Sequence, residues 1–414
     1  MEPMVERGCG LDVHQATVVA RVIVGKAGVR PRKETRTFRT VTRELLALRD
    51  WLKELGVTHV AMESTGVYWK PVYALLEDDF ELVVGNAQHI KNVPGRKTDI
   101  KDSAWIADLL RHGLIRKSFV PPEPLRALRE LTRYRRTLVE TRAAERNRLQ
   151  KLLEAANIKL ASFISDVFGA SGMAMLRALL ANEADPAQMA QLAKGRMRSK
   201  VADLELALEG RLDDEHRFVL ALQLERLGQA DATLAALDAR IEAKMAAYEP
   251  ERQRLMTIPG IDRVLAAVLV AEVGVDMTVF PSAAHLASWA GLCPGNHESA
   301  GKRKSSQTRK GNVHLKTGLV EAANAASRKK GSYLKDKFFR LKVRRGHKRA
   351  ILALGHKILV AAYHVLAKAT DYVDLGGAYL DTLNTTRVAN QLKRRLERLG
   401  YEVALQRVEP TQAV

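Results

Sequence analysis

The run Gly8-Cys-Gly-Leu-Asp-Val-His14 decides how the first part of the chain folds. It is short and apolar, as a buried strand is, yet Asp12 stands between Leu11 and Val13. Core-facing strand positions are ordinarily apolar, so an aspartate there needs a chemical reason. Cys9–Val13 reads as a first strand, and Thr17–Val24, rich in Val and Ile, as a second. Thr35–Thr40, alternating around Phe38, reads as a third, with Gly25 and Gly28 in the preceding turn. Thr42–Leu55 places Leu45, Leu46, Leu48 and Leu52 at helical spacing. His59–Met62 is a fourth strand ending at Glu63, Tyr68–Glu77 a helix, Phe80–Val84 a fifth strand, and Ile100–Leu114 a helix.

Three strands in a meander, then strands joined through helices, is the ribonuclease-H-like order, of which the RuvC form is one. After Pro121-Pro122 the alternation stops. Residues 124–160 read as one long helix dense in arginine: Arg126, Arg129, Arg133, Arg135, Arg136, Arg142, Arg146 and Arg148. Residues 200–248 are again helical, with Leu220, Leu227, Leu234, Ile241 and Tyr248 every seven residues, a coiled-coil-like seam. A helical hairpin within the chain and a dimer serve such a seam equally. Thr257-Ile-Pro-Gly-Ile-Asp262 and the apolar run to Val273 resemble half of a helix-hairpin-helix, whose helix-start N–H groups hold a DNA phosphate. Asp262 stands where that module has glycine, and a plain Pro-Gly turn before a buried helix accounts for the same residues. The expected class is α/β plus all-α. An N-terminal domain spans 1–120, a helical or coiled-coil region 121–250 and a mainly helical domain 251–370. A tail, 371–414, carries a helix near Arg387–Leu399 and a strand.

Composition narrows the function. The 414 residues carry a net charge of +20, which points to a polyanionic partner. With 46% hydrophobic residues the chain is not disordered, and two cysteines, Cys9 and Cys293, exclude a disulfide scaffold and suit a reducing cytosol. The most apolar run, Val264–Val273, is broken by Glu272 and is too short to span a bilayer. The opening Met1-Glu-Pro-Met-Val-Glu6 has no basic lead into an apolar segment, so no secretory signal is expected. The expected location is cytoplasmic, on the nucleoid of a prokaryote, with no membrane partner. Residues 302–349 hold 17 Lys and Arg against Glu321 and Asp336, a local +15. Lys302, Arg303, Lys304, Arg309, Lys310, Arg328, Lys329, Lys330, Arg344 and Arg345 are the candidate phosphate contacts.

Four carboxylates stand out: Asp12, Glu63 at the end of the fourth strand, and Asp99 and Asp102, three apart at a helix start. In a ribonuclease-H-like sheet the first and fourth strands are neighbours, so Asp12 and Glu63 would meet and Asp99 and Asp102 would turn one helical face toward them. Converging carboxylates repel unless they bind cations, and hard oxygen donors favour Mg²⁺ or Mn²⁺. Singly, Asp99 or Asp102 reads as a helix N-cap and Glu63 as a surface residue. His14 and His112 lack a zinc pattern and read as structural. In His297-Glu-Ser-Ala-Gly-Lys302 a small loop runs into basic residues, where a serine hydroxyl could reach a neutralised phosphate. Cys293 with His297, and Tyr333, are further nucleophile candidates on chemistry alone.

Gly10-Leu-Asp-Val-His14, Met62-Glu-Ser-Thr-Gly-Val-Tyr-Trp69, Lys97-Thr-Asp-Ile-Lys-Asp102, Ile258-Pro-Gly-Ile261 and Leu286-Ala-Ser-Trp-Ala-Gly-Leu-Cys-Pro294, followed by Glu298-Ser-Ala-Gly-Lys302, together resemble the DEDD transposases, the family named after insertion sequence 110. The resemblance runs from about residue 8 to residue 400. It implies a RuvC-like domain, a coiled coil and a C-terminal transposase domain. It also implies Asp12, Glu63, Asp99 and Asp102 as metal ligands and Ser299 as nucleophile. Ala300 replaces the family's commoner glycine, Glu298 stands where some members have serine, and Ser305 and Ser306 are lesser candidates. Members are site-specific recombinases that join the ends of an element to a double-stranded DNA target. A structured noncoding guide RNA encoded by the element selects the sites, and because recombination needs at least two strands cut together, a dimer or tetramer is expected. The arginine-dense helix is then a candidate RNA-backbone surface. The rival enzyme is a metal-dependent junction-resolving endonuclease acting by water. A DEDD exonuclease would need Asp-x-Glu where Asp12-Val13-His14 stands, and a non-enzymatic assembly protein would have lost an acid.

Overall fold

The structure is a computed structural model. It describes residues 3–94, 102–182, 184–295, 297–305 and 307–406, with the backbone alone at 88, 297–299, 303 and 304. The chain divides into two compact units at Val120 and Pro121.

The first unit has the elements β1 (Arg7–Val13), β2 (Thr17–Val24), β3 (Arg32–Arg39), α1 (Thr42–Glu54), β4 (His59–Glu63), α2 (Trp69–Leu76), β5 (Glu81–Gly85), α3 (Ala87–Lys91) and α4 (Asp102–Arg111). The sheet order is β3-β2-β1-β4-β5. β1, β2 and β3 pair antiparallel, while β4 runs parallel to β1 and β5 parallel to β4. β1 is central, which explains its apolar character, and its two faces differ. Cys9 and Leu11 join Leu48, Trp51, Leu52 and Met62 in one buried core. The other face packs on α4 through Ala61, Val83, Ile106 and Leu110. Gly10 makes that approach possible, because a Cβ there would lie 2.3 Å from Ala107 N and 2.4 Å from Ser103 O.

The second unit begins with α5 (Glu123–Ala155), α6 (Leu160–Phe163), α7 (Ala170–Ala181), α8 (Pro186–Ala190), α9 (Val201–Leu208) and α10 (Asp214–Met245). α5 stops at 155 rather than 160, where Asn157 turns left-handed at φ 57°. The helix expected over 200–248 is broken around Gly210, whose Cβ would lie 2.6 Å from Ala156 O, and restarts where Asp213 accepts from His216 N. Leu220, Leu227, Leu234 and Ile241 are buried, and α10 packs along α5 of the same chain. Arg135 pairs with Asp238 and Arg142 with Asp231, so the two helices run antiparallel. The heptad seam is therefore occupied within the chain by a helical hairpin. Tyr248 falls past the end of α10, in a short 3₁₀ turn.

α11 (Glu249–Met256), α12 (Arg263–Val273), α13 (Ala283–Trp289), the strands β6 (His297–Ser299) and β7 (Lys302–Ser305), α14 (Val313–Ala326), α15 (Tyr333–Arg345) and α16 (His347–Lys368) follow. α17 (Tyr379–Thr382) and α18 (Thr385–Arg398) end the described helices. α16 is long and apolar enough to cross a membrane by composition. It buries Leu354, Ile358, Leu359 and Ala362 and packs on α13, α14 and α15, as a core helix does. The turn before α12 is closed by the chain itself. Asp262 accepts from Leu265 N at 2.8 Å, so a carboxylate already occupies the helix start where a phosphate would bind. The strand expected after α18 does not form among the described residues to 406, where no second strand is available to pair.

Candidate functional site

β1 and β4 place the first pair of acids. Leu11 is paired with Met62, so Asp12 and Glu63 are the next residues on adjacent parallel strands. Alternation puts Gly8, Gly10 and Asp12 on the α4 face, and a Cβ at Gly8 would meet Leu110 there. β1 thus runs from the end of α4 toward its start, where Asp102 is the first residue. These groups gather at the carboxyl ends of parallel strands, where α/β sheets place ligand sites. An acid in the first turn also suits the helix dipole, so Asp102 has a structural role as well.

The electrostatics agree with this placement. Burial holds the Asp12 carboxyl above its ordinary range, and the charges of Asp102 and Glu63 push it further the same way. His14 opposes them, its Nε2 3.2 Å from Asp12 Oδ2. Thr65 donates its hydroxyl to Glu63. His112 Nδ1 lies 2.9 Å from the Asp108 carbonyl, in keeping with a structural role. Among the described residues no three His, Cys, Asp or Glu groups stand close enough to hold a metal ion as they are. Asp99 lies outside the described residues. The donor set is nonetheless all carboxylate, and its mutual repulsion is what a hard divalent cation relieves.

In the second unit the serine segment is a β-hairpin. Ser299 pairs with Lys302 and Glu298 with Arg303. The two-residue turn is Ala300 at φ 50° and Gly301 at φ 73°. Both positive angles match the right-handed twist of paired strands, and the non-glycine residue costs about 1–2 kcal/mol. The hairpin leaves and re-enters the helical body at one point. A Cβ at Gly311 would lie 2.4 Å from Gly291 N, so only glycines allow this contact. Ser305 Oγ accepts from Gln307 N at 3.1 Å, while Ser306 lies outside the described residues. Tyr333 packs edge-on against Tyr379, and burial raises its hydroxyl, which disfavours the phenolate a tyrosine nucleophile needs.

Next to Gly311, Asn312 does two things. Its Oδ1 caps α14 at Leu315 N, and its Nδ2 donates to Glu272 Oε2 at 2.6 Å. Glu272 is fully buried, and Arg133 grips it with Nε at 2.7 Å and Nη2 at 2.8 Å. Arg129 adds a contact at 3.1 Å. Burial alone would raise the Glu272 carboxyl, but these partners hold it below its ordinary value. The sequence signal was an acid inside the apolar run Val264–Val273, which betrays a buried ion pair.

The arginine-dense helix is tied into the chain. Arg129 and Arg133 bind Glu272, Arg135 binds Asp238, and Arg136 binds Glu140 and Glu321. Arg142 binds Asp231, Arg148 binds Glu145, Arg146 lies over Phe168 and Arg126 donates to the Pro121 carbonyl. Every arginine of the stripe has a partner in the chain, so the stripe braces helices. Cations also stand against acids in a cleft of about 390 Å³ lined by Arg133, Glu140, Asp262, Arg263, His314 and Glu321. The later basic residues differ. Lys302, Arg309, Lys310, Arg328, Lys329, Lys330, Arg344 and Arg345 are exposed, and among the described residues none pairs with a carboxylate. Arg309 and Lys310 precede α14 and Arg328–Lys330 follow it, roughly 20 Å apart at 1.5 Å per residue.

Residues 9–158 match a family model described as transposase, of the DEDD type of insertion sequence IS110. Residues 252–338 match one described as transposase IS116/IS110/IS902 family. A "Probable family 20 transposase" of Pseudomonas aeruginosa is 28% identical over 286 residues, which is 68% of this chain and 75% of that protein. An "Insertion element IS900 uncharacterized 42 kDa protein" of Mycobacterium paratuberculosis is 30% identical over 53% of this chain and 61% of its own length. An "Insertion element IS110 uncharacterized 43.6 kDa protein" of Streptomyces coelicolor is 42% identical over 91 residues, 22% of each chain. With two models matched in order across both units, each over the motifs described above, the chain belongs to the IS110 family of DEDD transposases.

Proposed function

We propose that this transposase is a site-specific DNA recombinase whose nucleophile is Ser299, assisted by a divalent-cation site built on Asp12, Glu63, Asp99 and Asp102. The observation that supports the reading is the placement of Asp12 and Glu63 at the ends of β1 and β4 with Asp102 at the start of α4, where the charges of Asp102 and Glu63 raise the Asp12 carboxyl. The first unit is then RuvC-like, its acids holding Mg²⁺ or Mn²⁺. Bound there, such cations polarise a phosphodiester and stabilise the attacking and leaving oxygens.

The chain's own groups do the rest. The Ser299 hydroxyl loses its proton and attacks phosphorus. The Ser–O–P bond forms, one sugar–oxygen bond to phosphorus breaks, and the departing sugar oxygen takes up a proton. Lys302, opposite Ser299 in the hairpin, and Arg303 balance charge on the phosphate. The ester energy is kept in the serine linkage, and reversal of the attack reseals the strands. The basic residues flanking α14 and ending α15 hold DNA backbone and leave base recognition to a guide RNA encoded by the element. Recombination joins at least two cut strands, so the working form is a dimer or tetramer.

The test is a covalent adduct assay on element-end DNA. Wild type traps a protein–DNA phosphoserine and Ser299→Ala does not. Hydrolysed ends without adduct in the wild type would establish the junction-resolving nuclease instead. Sequencing the nucleic acid that copurifies with the protein tests the guide, since a discrete RNA encoded beside the gene is expected and random fragments would refute it.

A further inference from the structure

α18 has no buried residue. A helix of 14 residues alone in water is marginal, so a neighbour is expected to support it. Its side chains are arranged for one. Val388, Leu392 and Leu396 follow each other at i, i+4 and i+8, and Leu399 extends the stripe, with Leu392 56% and Leu399 68% exposed. Arg395 flanks the stripe, Arg398, Arg387 and Arg394 continue from it round the same side of the helix, and among the described residues none of them pairs with a carboxylate.

The complementary surface lies on α10. Its seam residues Leu220 and Leu227 face α5, and on the opposite side Phe218 and Leu222 are 66% and 44% exposed. Asp214, Glu215 and Glu225 stand three or four residues from one or the other, and among the described residues no cation pairs with them. Arg226 lies at the edge of this face. One surface is a basic apolar stripe and the other an acidic apolar patch.

We propose that α18 of one copy docks on the Phe218–Leu222 face of α10 of a second copy. Reciprocal docking uses both surfaces of both chains and closes a two-fold dimer. Apolar contact supplies the attraction and the flanking charges set partner and orientation. This deepens the oligomeric part of the function proposed above, and its test reads association alone, independent of strand chemistry.

The experiment is sedimentation equilibrium of full-length protein stripped of nucleic acid. One variant carries Arg387→Glu, Arg395→Glu and Arg398→Glu, the other Asp214→Lys, Glu215→Lys and Glu225→Lys. Each alone weakens self-association at least tenfold, and their equimolar mixture restores it to within threefold, because in the mixed dimer one interface is matched in reversed sign and the other is the wild-type pair. Leu392→Glu weakens association without rescue by either. Wild-type association by both triple variants overturns the proposal while leaving the recombinase intact. So does a loss the mixture does not rescue. An α18 variant that associates normally but binds DNA or RNA less tightly would make nucleic acid the occupant, and one that only melts earlier would make it the chain's own body.

Discussion

Asp12 and Glu63 occupy equivalent places on two adjacent parallel strands, each one step beyond the paired residues Leu11 and Met62. A carboxylate pair so placed is costly to the empty protein and useful only when its charge is met. Asp12→Asn and Glu63→Gln should each lower strand cleavage by about a hundredfold or more, the scale of losing one electrostatic group at a reacting phosphate. Circular dichroism should remain that of the wild type.

The same pair predicts a reversed stability effect. Asp12 is held above its ordinary value. A carboxyl raised in the folded chain contributes stability at low pH and loses it as pH rises through the folded value. At pH 7 in chelator, Asp12→Asn should melt no lower than the wild type. Adding Mg²⁺ should raise Tm of the wild type alone, and scanning fluorimetry reads both.

Glu272 carries the opposite sign. Its partners Arg133, Arg129 and Asn312 hold its carboxyl low against burial. Its contribution is present above the ordinary carboxylate value and is lost as pH falls through the depressed one. Glu272→Gln leaves two half-buried guanidinium groups facing a neutral amide, at a cost of up to about 3 kcal/mol. Urea unfolding of the variant should show that loss at pH 7 and less of it near pH 3.

Ala300 bears strain that glycine would not. Ala300→Gly should leave the hairpin intact and stabilise it by about 1 kcal/mol or less, because glycine also frees the unfolded chain. Adduct formation should be equal or faster. Ala300→Val, with a branched side chain at φ 50°, should lose the adduct.

Two classes of arginine and lysine should separate in binding assays. Replacing Arg328, Lys329 and Lys330 with Ala should weaken DNA binding and reduce the salt dependence by about 0.9 per lost phosphate contact. Replacing Arg135 and Arg142, which pair with Asp238 and Asp231, should lower Tm and leave the salt slope unchanged.

The sheet was legible because its signals are local: β-branched runs, the turn glycines and the helical spacing of Leu45, Leu48 and Leu52 lie within a few residues of each other. Elements ended where distant atoms intervened, as at Gly210 against Ala156. α3 escaped notice because five residues, Ala87–Lys91, give no period. The bracing role of the arginine stripe was hidden for a related reason. Its acids, Asp231, Asp238, Glu272 and Glu321, are distant in sequence, so the helix read in isolation seemed uncompensated. The carboxylate pair could be anticipated because strand order alone brings it together, whereas the bond from Asn312 to Glu272 depends on helix packing that no spacing encodes.

The contact between Gly291 and Gly311 makes the segment between them a closed detour from the helical body. Its two roots are fixed by backbone packing and by Asn312, and its legs are tied just above them, Gly295 N donating to the Gln307 carbonyl and Arg309 N to the Cys293 carbonyl. The hairpin beyond these bonds can therefore lengthen or shorten without re-registering α13 against α14. The neck fixes where the Ser299 tip departs from the scaffold, and a side chain at either glycine would displace that departure point.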